Sequence, residues 1–69
     1  MANFKNVNRK LNLEFPEIGI ILHRGLGYAY FECELRDDVP ASIMTHPVNT
    51  STDELYQMAS QDIAEWLAN

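Results

Sequence analysis

Two glycines around a single leucine, Gly25-Leu26-Gly27, stand between two runs rich in isoleucine and aromatic residues, and no other feature restricts the fold as strongly. Glycine reaches positive backbone angles without a steric penalty, so this spacing predicts a tight connection between two antiparallel strands. The run before it, Glu17 to Arg24, places Ile18, Ile20 and Leu22 on one face and Ile21 and His23 on the other. In the run after it, Tyr28 to Arg36, Ala29, Phe31, Cys33 and Leu35 alternate with Tyr28, Tyr30, Glu32 and Glu34. Side chains in a strand repeat with period two, so the second strand has an apolar core face and a face of tyrosines beside carboxylates.

Helical spacing flanks this hairpin. Asn3 is a helix cap, and Phe4, Val7 and Leu11 recur at intervals of three and four, which predicts a short helix near residues 3 to 13. Asparagines and cations fill its other faces, so it depends on docking its stripe more than on intrinsic propensity. Phe15-Pro16 ends it, because the residue before proline is pushed out of the helical region. Ser51-Thr52-Asp53-Glu54 is a capping box, and Leu55, Met58, Ala59, Ile63, Trp66 and Leu67 continue it as a wide apolar stripe, predicting a helix over 52–68. Between hairpin and helix, Asp37-Asp38-Val39-Pro40 reads as a turn and Ala41 to His46 as a third, shorter strand stopped by Pro47. Its inward set is Ala41, Ile43 and Thr45, although a shift by one residue reverses the faces. The expected fold is therefore α+β: a single α-β-β-β-α domain over 1–69, a two-layer sandwich with a three-stranded antiparallel sheet and both helices on one sheet face.

With 46% apolar and 22% charged residues, the chain has the composition of a folded globule and not of a disordered segment. A single cysteine, Cys33, permits no intrachain disulfide and suits a buried position in a reducing compartment, so the expected location is cytoplasmic. The N-terminal residues lack a signal-peptide core, and the longest apolar run, near Ile18 to Leu22, is far too short to span a membrane. Net charge is −5 and unevenly placed: Lys5, Arg9 and Lys10 precede the first acid, whereas all ten carboxylates follow with only Arg24 and Arg36 among them. Such an acidic balance argues against general nucleic-acid binding, which needs a concentrated basic surface, and suits a basic protein partner.

No motif names a reaction. His23, His46 and Cys33 have no ligand-like local spacing, so no metal site and no cofactor is expected. Cys33 falls on the strand face opposite the exposed residues, which removes it as a nucleophile. Gly25-Leu26-Gly27 joins two strands and opens no helix, so it is a hairpin and not a phosphate loop. Glu32 and Glu34 lie about 7 Å apart along the strand, but a small flat sheet offers no pocket to exclude water from them, and catalysis is not expected. Exposed tyrosines supply large contact area at low entropy cost, which marks Tyr28, Tyr30, Glu32 and Glu34 as a partner-binding patch, extended by Asp53, Glu54, Asp62 and Glu65 on the second helix. The competing role for the tyrosines is to pair across strands and cover the open sheet.

Two resemblances add to this. Element order and length resemble the double-stranded RNA-binding domain, but such domains begin the final helix with lysines where this chain has Ser51-Thr52-Asp53-Glu54. Over about residues 18 to 67, the layout and the glycine-then-aromatic strand Gly25 to Phe31 resemble the small acidic accessory proteins of bacteriophages and other mobile elements. That likeness implies a stoichiometric, anti-defence type of inhibitor, acting in the cytoplasm of a bacterial host. The leading expectation is a non-enzymatic protein-binding module of this kind; the alternatives are a nucleic-acid-binding domain using Lys5, Arg9 and Lys10, and a structural homodimer pairing its open sheet faces or edges.

Overall fold

The computed structural model describes residues 1–69, ordered as α1 (Phe4–Glu14), β1 (Ile20–Arg24), β2 (Ala29–Cys33), a 3-10 turn at Pro47–Asn49 and α2 (Thr52–Ala68). Both helix starts form as their sequences require. The Asn3 side chain accepts from the Asn6 N–H at 3.1 Å, and the Ser51 hydroxyl accepts from the Glu54 N–H at 3.1 Å while the Glu54 carboxylate accepts from the Ser51 N–H. Phe15 closes α1 by donating its N–H to the Leu11 carbonyl at 2.8 Å.

β1 and β2 pair antiparallel, with Leu22 opposite Phe31 and His23 opposite Tyr30. Their inward residues Ile20, Leu22, Ala29 and Phe31 share one core with Val7 and Leu11 of α1 and Leu55, Ala59 and Ile63 of α2. α1 runs so close to β1 that the Asn8 side chain acts as a substitute strand: its amide donates to the Leu22 carbonyl at 2.9 Å and accepts from the Leu22 N–H at 2.7 Å. Successive residues of a strand aim their backbone groups at opposite edges, so Asn8 satisfies the edge of β1 that faces away from β2.

The sheet has two strands, not the three expected. Of the span Ala41 to His46, only Ile43 pairs, exchanging both backbone hydrogen bonds with Ala29 at 2.8 and 2.9 Å. The chain leaves the sheet after Cys33 because residues 36–38 are held against α2 instead. The Trp66 indole donates to the Asp38 carboxylate at 2.7 Å, and the Arg36 guanidinium lies 4.8 Å from the Trp66 ring centroid. Beyond Ile43 the backbone curls locally: Thr45 N–H donates to Ile43, and Thr50 donates its hydroxyl to the His46 carbonyl at 2.8 Å. Ile43 does face the core and Met44 faces out, but Ala41 is exposed. β2 is also shorter than its alternating pattern, so Leu35 is not inward but 69% exposed. Trp66, expected in the core, is half-buried at its margin, where its indole N–H finds a partner.

Four hydrogen bonds stitch α1 and its cap to α2. The Asn3 N–H donates to the Thr52 hydroxyl at 3.0 Å, Lys10 pairs with Asp53 at 2.8 Å, and Glu14 accepts from both Tyr56 and Ser60 at 2.7 and 2.6 Å.

Candidate functional site

The side of the ribbon away from the core carries Ile21, His23, Tyr28, Tyr30 and Glu32, and no helix covers it. Local geometry orders these side chains into one row. Gly25 and Tyr28 close the hairpin through a 2.8 Å bond from the Gly25 N–H to the Tyr28 carbonyl, and Gly27 supplies the positive φ of 78° that the loop needs. The Tyr28 ring lies directly over Gly25: a Cβ there would stand 2.4 Å from the tyrosine Cζ. A glycine is therefore required at 25 for the ring to lie down. Tyr30 stacks on His23 with centroids 5.2 Å apart and meets Tyr28 at 6.0 Å. His23 Nε2 is 2.9 Å from Glu32 Oε1.

Tyr28 is thus half-buried by its own turn, whereas Ile21 and Tyr30 remain 39% and 41% exposed. Glu34 lies beyond the end of β2 beside Gly19, whose φ is 63°. The four acids of α2 do not join this patch, because α2 packs on the core side of the ribbon. Asp53 is engaged by Lys10 and Glu54 by its own cap. Asp62 and Glu65 line a separate depression with Val39, Pro40, Ala41 and Trp66. His23 belongs at the centre of the patch; the period-two pattern of β1 places it outward, but only the cross-strand register puts it on Tyr30 and Glu32. No three His, Cys, Asp or Glu side chains converge into a metal-ligand cluster, and no helix is long and apolar enough to cross a membrane. Cys33 is half-buried, with its thiol donating to the Ile18 carbonyl at 3.2 Å.

The acids of α2 differ in how the fold treats their charge. The hydrogen-bonded Lys10 ammonium holds the Asp53 carboxyl below its ordinary value, whereas burial, reinforced by the nearby Glu65 charge, raises that of Asp62. The signs for stability are opposite. Asp53 stabilises the fold above its unfolded value of 3.8, a contribution lost as pH falls through its lower folded value. Asp62 disfavours the fold increasingly as pH rises from 3.8 through its higher folded value. Asp62→Asn should accordingly raise the urea midpoint at pH 7 and lose that advantage below pH 3.8. An equal gain at both pH values would show that the charge of Asp62 is not the cause.

Comparison with known proteins yields no match to a protein-family model, to a curated protein or to a solved structure.

Proposed function

We propose that the chain is a non-catalytic protein-binding module whose contact surface is centred on the outer face of the β1–β2 ribbon and continues past its edge. The observation that carries this reading is the ordered row Tyr28, Tyr30, His23 and Glu32 on the one sheet face that no helix covers. Aromatic residues fixed by stacking lose little further entropy on contact, and a carboxylate at their end favours a partner with basic residues beside an apolar patch. Blocking a basic surface on a bacterial host protein is the mode of action that the likeness to phage accessory proteins adds to this reading. Asp53, Glu54, Asp62 and Glu65 act, in this reading, only through the long-range field of an acidic molecule.

The nucleic-acid alternative is weakened by the commitment of Lys10 to Asp53, which leaves Lys5 and Arg9 as the unpaired cations of α1. A homodimer through sheet faces alone has too little area. Two strands of five residues span about 17 Å by 10 Å from strand geometry, against roughly 800 Å² per partner in a specific interface.

The test is a Tyr30→Ala/Glu32→Ala variant. Both side chains are exposed, so its fold should match the parent by circular dichroism, while affinity for a partner isolated with the parent chain should fall at least about tenfold. Unchanged affinity in a folded variant would remove the sheet face as the contact surface.

A further inference from the structure

A ribbon face this small cannot form a specific protein contact by itself, so the contact surface has to continue past one of its edges. On the β1 side it does. Ile21 and His23, which face outward on the ribbon, also line an open groove of about 500 Å³ between α1 and β1, walled by Phe4, Lys5, Asn8 and Arg24. None of the ten carboxylates of this acidic chain lines the groove. Neither Lys5 nor Arg24 has an acid within ion-pair distance, in contrast to Lys10. The Arg24 guanidinium lies 5.6 Å from the Phe4 ring centroid, a placement that leaves its N–H donors free for a planar anion. Asn8 gives one amide N–H and its carbonyl oxygen to Leu22, so the formal charge in the groove comes from Lys5 and Arg24.

We infer that the groove receives an aspartate or glutamate side chain of the partner protein, next to the residues that meet Tyr30 and Glu32. This inference rests on the reading of the outer sheet face as a protein contact and gives it polarity: the partner presents an acid toward Arg24 and Lys5 and a base toward Glu32. A carboxylate fits better than a phosphate backbone. One guanidinium binds one carboxylate in bidentate fashion, whereas a nucleic acid needs several cations, and here the rest of the molecule repels it.

The experiment is an NMR titration of the isotope-labelled full chain with a blocked hexapeptide carrying two glutamates and a leucine, with its glutamine counterpart and with adenosine monophosphate. The glutamate peptide should shift the amides of residues 4–8 and 21–24 saturably and bind at least about threefold more tightly than the glutamine peptide. Lys5→Gln/Arg24→Gln should weaken it about tenfold, taking up to about fivefold for each exposed charge pair. Arg9→Gln, which removes an exposed cation of α1 that does not line the groove, should leave it unchanged. The inference is overturned if the two peptides bind alike or not at all, if the groove variant binds as the parent does, or if the nucleotide binds more tightly than the peptide. Loss of the groove result with partner binding still dependent on Tyr30 and Glu32 removes the groove alone. Retention of the groove result with partner binding independent of those two residues removes the sheet-face reading on which the inference rests.

Discussion

Replacing Leu55 by alanine should lower stability by about 3 kcal/mol, within the 2 to 5 kcal/mol that truncation of a fully buried leucine costs. Leu55 has no exposed surface and sits in the one core of a 69-residue chain. At roughly 0.05 to 0.15 kcal/mol per residue, the whole domain has a margin of about 3 to 10 kcal/mol, so this single change removes between about three-tenths and nearly all of it. The cavity cannot collapse easily, because Ala59 and Ile63 on the same helix and Val7 and Leu11 on the facing one are equally sealed. Urea denaturation followed by far-ultraviolet circular dichroism measures the loss. Leu13→Ala is the control: that side chain is 76% exposed, and its removal should change stability by less than about 0.5 kcal/mol. Similar effects at the two positions would mean that the core lies elsewhere.

The second large effect is expected at Asn8, a polar residue that helical periodicity marks as ordinary. Asn8→Ala removes both partners of Leu22 on the outer edge of β1 and should cost about 2 to 3 kcal/mol, since each unsatisfied backbone group costs about 1 to 3 kcal/mol. Water reaching the edge recovers part of that. Asn8→Asp separates the two bonds. An aspartate still accepts from the Leu22 N–H but sets a charged oxygen against the Leu22 carbonyl, so it should destabilise at neutral pH and recover as it is protonated. Hydrogen exchange at the Leu22 amide gives a local readout: it should accelerate in Asn8→Ala and stay protected in Asn8→Asp at low pH. Unaltered protection in the alanine variant would show that Asn8 does not hold the strand. The bare edge would also template pairing between chains, so the alanine variant should aggregate at concentrations where the parent stays dispersed.

The parts of the fold legible in the sequence are those written in local signals. The capping box at Ser51 and Glu54 and the stripe from Leu55 to Leu67 place α2 at 52–68, the bounds the helix has. The hairpin followed from Gly25-Leu26-Gly27 in the same way, and so did the outward facing of Ile21, His23, Tyr30 and Glu32. What the sequence does not display is any contact between residues far apart along it. The third strand failed because Trp66 holds Asp38, 28 residues away, and draws the intervening chain off the edge of β2. Asn8 meets Leu22 across 14 residues without periodic trace. Asp53 reads as a free acid until Lys10, 43 residues earlier, is seen beside it. The candidate site was therefore legible as a strand face, but its extent was not: the α2 acids proved to lie elsewhere, and the cationic groove depends on α1 docking beside β1.

The polar stitches between α1 and α2 have a consequence for the order in which the molecule assembles. Each joins residues 42 to 49 positions apart, whereas the hairpin pairs residues 5 to 13 apart. Closing a long loop costs more chain entropy than closing a short one, and non-local contacts return nothing until that cost has been met. The hairpin with its tyrosine over Gly25 can form early, and α1 can lean on it through Asn8. Loop-closure entropy disfavours the clasp between the helices until these nearer contacts exist, and so favours shaping the aromatic face before the core beneath it is sealed.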